Sequence, residues 1–355
     1  MTSTKSVFSQ NHETANIRNS DRYLKRVHSQ VLQDVAYRLD KAINAWRKGL
    51  ASHPRFKRKG RYKSFTYPQF KHDPIRNARV RLGLIGEVRI RLHRMIGGRI
   101  KRITVFRDVN EWFAILTLEE ITTPLPRAER ETVGVDFGIS KVLTLSDSTT
   151  FRLPPKLKAS IARLKSLHRD ISRKSQDSRR REIAKASFQM AWRKVRRQRA
   201  DFVHKVSHVL ATRYRTIVFE DLPIRNMVKN HAVASAIMGS IWGRIRQSTA
   251  YKAERRLGRV LLVPPQLTSQ KCSGCGIIVR KLASCKIHRC PNCMLVMDRD
   301  VNAARNILQK GLEEALAEAE PLPIVRISKF GRGSEKPANE GRELFTPSRS
   351  LRLSR

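Results

Sequence analysis

At 355 residues the chain has room for two or three domains. Its 73 lysines and arginines stand against 30 aspartates and glutamates, and the formal charge of +43 favours a polyanionic partner, RNA or DNA above all. The 40% hydrophobic share excludes a purely disordered basic tail, and the longest uncharged stretch, Asn230 to Gly243, falls short of the ~20 residues that span a membrane.

The first twenty residues are rich in Ser, Thr and Asn and read as a loose arm without a secretory signal. From Arg22 to Leu50, Leu24, Val27, Val31, Leu32, Val35, Leu39, Ile43 and Trp46 recur at three- and four-residue steps. That spacing predicts an amphipathic helix, or two joined end to end, stopped by Pro54. Arg55 to Tyr67 interleaves basic residues with aromatics, a composition that suits either phosphates and unstacked bases or a solvated loop with its rings tucked inward. Between Ala78 and Glu119 the period falls to two, predicting antiparallel strands whose arginines face solvent and suit a phosphate backbone. Pro124-Leu-Pro126 reads as a linker.

Thr132 to Val135 is the next predicted strand, followed by hairpin strands at Val142 to Leu145 and Thr150 to Arg152. A basic helical region runs from Pro155 to Tyr214; between Arg152 and Arg215, 20 Lys and Arg face 4 Asp and Glu, a phosphate-binding density. Strands at Thr216 to Phe219 and Val260 to Val263 flank a helix over Ala232 to Leu257. A helix from Val301 to about Lys310 follows the cysteines, and the Gly-, Pro-, Ser- and Arg-rich tail beyond Pro321 reads as disordered.

Cys272-Ser-Gly-Cys275 and Cys290-Pro-Asn-Cys293 are separated by fourteen residues. Two such pairs close a tetrahedral four-thiolate zinc site with no open position, hence a structural one; the alternative is a redox dithiol. Metal ligation in a reducing compartment suits this usage better than disulfides. Cys285 lacks a partner at this spacing and reads as a bystander, and His288 as a surface histidine.

Three acids end or open predicted elements: Asp136 after Thr132 to Val135, Glu220 after Thr216 to Phe219, and Asp300 before Val301-Asn302-Ala303-Ala304. Singly, each suits a helix cap or a salt bridge, Asp300 especially. Together they form a set of hard oxygen ligands for Mg²⁺, and two such ions about 4 Å apart clamp the attacking and leaving oxygens of a phosphoryl displacement.

Val133-Gly-Val-Asp-Phe-Gly-Ile139, Val218-Phe-Glu-Asp-Leu222, Thr268-Ser-Gln-Lys-Cys-Ser-Gly-Cys-Gly276 and Asp298-Arg-Asp-Val-Asn-Ala-Ala-Arg-Asn-Ile307 resemble the signature blocks of TnpB, the OrfB-type protein of IS200/IS605 and IS607 insertion sequences, related to compact type V CRISPR effectors. The resemblance covers roughly Pro54 to Leu308. It implies an α/β fold: an RNase H-like (RuvC) nuclease core with a zinc-ribbon insertion, preceded by a small helical segment and an antiparallel, wedge-like β domain. The implied activity is RNA-guided, Mg-dependent hydrolysis of target double-stranded DNA, with a guide RNA made from the transposon end, in a bacterial or archaeal cytoplasm. The family's acids map to Asp136, Glu220 and Asp300 rather than Asp298, and its zinc cysteines to Cys272, Cys275, Cys290 and Cys293. The chain enters the family pattern late, so one or more opening strands are expected to be missing, and Met294 stands where the family tends to have glycine.

The expected organisation is an arm and helical segment (1–53), a β-rich nucleic-acid-binding domain (54–127), a nuclease core with its basic helical region (128–265), a zinc ribbon (266–294), a last nuclease segment (295–312) and a disordered tail (313–355). The competing readings are a nuclease-silent or truncated RNA-guided binder of the same build, a generic zinc-ribbon nucleic-acid-binding protein, and a strand-joining transposase. The three acids weigh against the first, and no tyrosine-nucleophile signature supports the last.

Overall fold

The structure, a computed structural model, describes residues 7–57, 60–70, 72–119, 123–222, 233–280, 285–317 and 349–353. They fall into two compact units, Met1–Thr122 with Glu343–Arg355, and Thr123–Arg342.

In the first unit two helices, α1 (Val7–Ser20) and α2 (Ser29–Arg47), flank a 3₁₀ turn at Leu24–Arg26. The segment expected to be a loose arm is therefore helical from Val7. Arg18 ties it down, donating from Nε to the Val27 carbonyl at 3.1 Å and from Nη2 to that of Lys25 at 3.3 Å. Its sequence carries no apolar stripe, so periodicity gave no sign of it. The His28 side chain caps α2 by accepting the Gln30 N–H, which is why the helix starts at Ser29 and not at Arg22. Arg38 on α2 pairs with Asp34 at 2.6 Å and donates to Ser64 Oγ and Thr66 Oγ1, docking the helix on the first strand.

That strand, β1 (Ser64–Tyr67), precedes β2 (Ile75–Arg76), β3 (Arg79–Leu82), β4 (Gly86–Arg91), β5 (Arg99–Asp108) and β6 (Glu111–Glu119). Val80, Leu82, Ile90, Ile103, Val105 and Ala114 fill the core. Arg79, Arg81, Arg89 and Arg91 alternate with them on the solvent face, Arg79 directly opposite Arg89. The aromatics of the basic loop divide between exposed and buried positions. Phe56 is exposed, Lys57 lies 5.0 Å over the Tyr62 ring, and Tyr67 is buried with its hydroxyl donating to the Gly83 carbonyl.

The expectation of a disordered tail from 313 onward is corrected at both ends. The last helix of the second unit continues to Ala317, and Arg349–Leu353 forms a strand pairing antiparallel with both β6 and β4. Two sheet edges with unpaired backbone groups accept a five-residue segment, too short to register within a low-complexity tail. The rest of that tail, 318–348 and 354–355, lies outside the described residues.

The second unit is built on a mixed sheet. Strands β7 (Arg130–Phe137), β8 (Leu143–Leu145) and β9 (Thr150–Phe151) form an antiparallel meander, and β10 (Tyr214–Glu220) and β11 (Arg259–Val263) add parallel to β7 on its other side. The resulting order, β11-β10-β7-β8-β9, is that of an RNase H-like sheet. Around it lie α3 (Pro155–Ser172), α4 (Arg179–Arg213), α5 (Val233–Glu254) and α6 (Arg299–Ala317), with the small hairpin β12 (Ile287–Arg289) and β13 (Val296–Asp298) before α6; the strand at Arg349–Leu353 is thus β14. The basic region splits into α3 and α4, with Ser178 capping the latter by accepting the Arg181 N–H. Val195, Phe202, Val206 and Leu210 on α4 join the sheet's core while Lys194, Arg196 and Arg197 stay exposed, so one helix serves both packing and charge.

Two glycines set how closely α6 approaches the sheet. A Cβ at Gly134 would fall 2.0 Å from the Ala304 carbonyl oxygen, and one at Gly311 would meet the Val218 side chain at 2.5 Å. Gly134 in β7 thus lets the helix backbone touch the strand two residues before Asp136. Among the described residues no helix is long and apolar enough to cross a membrane.

Candidate active site and metal centre

Val135 on β7 lies opposite Phe219 on the parallel strand β10, so the next residue on each, Asp136 and Glu220, stand side by side where the two strands end. Carboxyl ends of neighbouring strands in an α/β sheet are where ligands are bound. Phe137 and Phe219 stack at 5.3 Å between centroids, and Trp242 closes on Phe137 at 5.7 Å, so an apolar cluster backs the two strand ends from the opposite face of the sheet.

Asp300, in the first turn of α6, completes the cluster. Burial pushes the Asp136 carboxyl well above its ordinary value, and the negative charges of Glu220 and then Asp300 push it further, against a lowering by Arg299 and by the Phe137 N–H. Glu220 is also raised by burial, opposed by a hydrogen bond from Thr268 and by the charge of Lys310. Like charges crowded in a poorly solvated site disfavour one another's ionised forms.

Asp298 plays a different part from Asp300. Its Oδ1 accepts the backbone N–H groups of Asp300 and Val301, and its Oδ2 sits 2.6 Å from Lys141 Nζ. The helix cap weighed for Asp300 therefore falls on Asp298, leaving the Asp300 carboxylate to Lys141 at 3.4 Å and Arg299 at 3.5 Å. Asp298 and Asp300 share Lys141.

The four cysteines converge. The sulfurs of Cys272, Cys275, Cys290 and Cys293 all lie within 4.8 Å of one another, with Cys272 to Cys293 at 3.6 Å and Cys275 to Cys290 at 3.5 Å. A tetrahedral ion with bonds of about 2.3 Å sets its sulfurs roughly 3.8 Å apart, so this donor set fits zinc. The Ile277 N–H and the Asn292 side chain draw the Cys275 thiol down to about 6. Cys285 is exposed and turned away, its Sγ donating to the Ile287 carbonyl. His288, expected at the surface, is fully buried in β12. The residues after the last cysteine of each knuckle, Gly276 and Met294, both have positive φ, +81° and +55°.

Sequence reasoning missed the groups that join these two sites. Thr268 donates from its hydroxyl to Glu220 Oε1. Asn306 Nδ2 donates to the carbonyls of Thr268 and Lys271, and Asn302 Nδ2 to that of Lys271, while Asn302 Oδ1 accepts the Ser273 N–H. Both asparagines are buried on α6 at i and i+4 among alanines and isoleucine. Two buried amides on one apolar helix face were a legible signal that the face meets backbone rather than side chains.

An RNase H-like sheet with acids clustered at its strand ends, and a four-thiolate ribbon placed before its last helix, define the class of protein. Comparison with known proteins narrows it. The family model described as "Probable transposase" (OrfB of IS605) matches residues 116–231, and that described as "Cas12f1-like, TNB domain" matches 242–307. A protein of Escherichia coli named "Putative RNA-guided DNA endonuclease InsQ" is 33% identical over 308 residues, covering 81% of this chain and 76% of its own length. A "Putative RNA-guided DNA endonuclease" of Streptomyces pristinaespiralis is 33% identical over 322 residues, covering 88% and 79%. A solved Cas12f1–sgRNA–target DNA complex aligns at 14% identity with a TM-score of 0.37, over 86% of each chain. The chain belongs to the TnpB (OrfB) family.

Proposed function

We propose that this protein is an RNA-guided DNA endonuclease of a mobile element, and that Asp136, Glu220 and Asp300 are its catalytic carboxylates. The observation that carries the reading is the convergence of three acids, from two strand ends and one helix start, in a chain of net charge +43. Carboxylates crowded at partly buried strand ends are good ligands for hard cations. Mg²⁺ bound there supplies Lewis acidity toward a phosphodiester and an activated water. The chain's own groups hold the geometry. Strand register brings the backbones of Asp136 and Glu220 together, the cap at Asp298 sets the start of the helix that carries Asp300, and Lys141 and Arg299 balance part of the negative charge.

In this reading Cys272, Cys275, Cys290 and Cys293 hold one structural zinc. The exposed cations of α3 and α4, among them Lys158, Arg163, Lys194 and Arg196, bind phosphates of the nucleic acids, the second unit's largest basic surface by sequence. The partners are a guide RNA drawn from the transposon end and target double-stranded DNA, and free thiols suit a reducing cytoplasm.

The test is cleavage of a guide-matched plasmid in Mg²⁺ by the wild type and by Asp136→Ala, Glu220→Ala and Asp300→Ala, with binding measured in parallel. Each substitution is expected to drop cleavage to background, non-additively, while binding persists. RNA copurifying with the protein should be one defined small species. A wild type that binds guide and matched target yet never cuts would overturn the reading, and a mixture of RNAs would count against guide use.

A further inference from the structure

We propose that Thr268 is a positioning residue for Glu220, and that through it the ribbon's first knuckle and the acid cluster share one hydrogen-bonded frame. The inference rests on the reading of Glu220 as a metal-binding carboxylate and goes beyond it by naming what holds that carboxylate still.

Glu220 ends β10 and carries three side-chain torsions, which strand register does not fix. Its carboxylate is buried, at 7% exposure, and Oε1 accepts a hydrogen bond from the Thr268 hydroxyl. That single bond removes rotation of the carboxylate and leaves its other oxygen to the cluster. Lys310 adds charge from the far side. Its Nζ is held by the Pro264 and Gln266 carbonyls, so it acts on Glu220 at a distance.

Thr268 is in turn immobilised. It is 3% exposed, and its carbonyl accepts Asn306 Nδ2 at 2.8 Å. Asn306 lies on α6, the helix whose first turn holds Asp300. The bonded path therefore runs from Glu220 to Thr268, across to Asn306, and down α6 to Asp300, joining two acids 80 positions apart in sequence. The same asparagine and Asn302 clamp Lys271 and Ser273, which flank Cys272. A threonine four residues before the first thiolate thus reads as part of the acid site. Its methyl fills space while its hydroxyl sets direction, so isosteric loss of the hydroxyl separates the two roles.

Outer groups that orient a metal ligand are worth ~10- to 100-fold in metal affinity. The experiment uses the full chain and titrates Mn²⁺ by calorimetry for wild type, Thr268→Val, Thr268→Ser and Glu220→Gln, with zinc content and melting curves alongside. Cleavage is then followed against Mg²⁺ concentration. Thr268→Val is expected to weaken Mn²⁺ binding ~10-fold or more and to shift half-maximal cleavage to higher Mg²⁺ by a similar factor, with one zinc retained. Thr268→Ser should restore both. Mn²⁺ affinity in a folded Thr268→Val equal to wild type overturns the inference. So does a weakened Thr268→Val that Thr268→Ser fails to rescue, because a purely packing role then accounts for it. If wild type and Glu220→Gln bind Mn²⁺ alike, it is the reading of Glu220 as a metal ligand that falls, a result distinct from the other two.

Discussion

Asp298 caps the helix that Asp300 opens, accepting the Asp300 backbone N–H at 2.9 Å. Two like acids, two positions apart, thus have different partners: Asp298 takes the helix's first free N–H groups, and Asp300 pairs with Lys141 and Arg299. The cap frees the Asp300 carboxylate to turn toward Asp136, and it places the helix's partial positive end beside the cluster.

Replacing each acid separates the roles. Asp300→Ala is expected to abolish plasmid cleavage with little loss of stability. Asp298→Ala should cost about 1 kcal/mol as a lost cap and still cut. Partial burial pushes Asp298 up, but the Lys141 ammonium and the two backbone N–H groups outweigh it and hold the carboxyl below its ordinary value. A depressed folded value means its stabilisation is present above about pH 4 and is lost as pH falls through the folded value. Melting curves on the acid side should therefore drop more steeply in wild type than in Asp298→Ala. Cleavage by Asp300→Ala combined with silence in Asp298→Ala would reverse the assignment.

Metal content decides the ribbon. Cys290→Ser is expected to lose zinc, because Cys290 is buried and its sulfur touches that of Cys275 at 3.5 Å. Cys285→Ser should keep it, since that exposed thiol bonds only the nearby Ile287 carbonyl among the described contacts. Elemental analysis of the purified variants reads this directly. Chelation should also loosen the frame around Asn302 and Asn306, visible as faster amide exchange at Ser273.

The second knuckle carries a strain that the first avoids. Met294 has φ +55°, where Gly276 fills the matching place in the first knuckle. A left-handed conformation costs a non-glycine residue ~1–2 kcal/mol, partly offset because glycine loses more freedom on folding. Its side chain is largely exposed, so little packing is at stake. Met294→Gly should raise the stability of the zinc-loaded protein by about 0.5–1 kcal/mol, read from denaturant midpoints.

What the sequence made legible follows from how local each signal is. Apolar runs that stop on an acid, Thr132 to Asp136 and Thr216 to Glu220, mark parallel strands buried on both faces, and the structure puts strands there. The thiolate pairs carry their own spacing. Helix α1 was missed because its anchor is one arginine reaching two carbonyls across the turn, which leaves no periodic trace. Strand β14 was missed because its partners lie more than 200 positions away. Thr268 and Asn306 were missed as site residues for a related reason. A hydroxyl and an amide state their chemistry in sequence, but their partners exist only once β10, the ribbon and α6 have met.

The acid cluster makes a last prediction about stability. Asp136 is raised first by burial and then by the charges of Glu220 and Asp300. With a raised folded value, the folded state holds its proton more tightly than the unfolded chain does. Stability of the metal-free protein should therefore fall as pH rises from about 4 through the folded value, and the full penalty stands above it. Asp136→Asn removes one of the three charges while keeping nearly the same shape. It is expected to melt higher than wild type at neutral pH without divalent cations, and to flatten that limb of the pH profile. Mg²⁺ or Mn²⁺ should raise the melting temperature of wild type, because binding to the folded state alone adds stability that grows with the logarithm of the cation concentration above its Kd. The same cations should do much less for Asp136→Asn. Calorimetric scans at several pH values, with and without Mn²⁺, measure all of this without any nucleic acid present. A metal-free Asp136→Asn that is less stable than wild type at neutral pH would mean the carboxylate is satisfied by the protein itself, and the cluster would then be a structural ion network rather than a metal site.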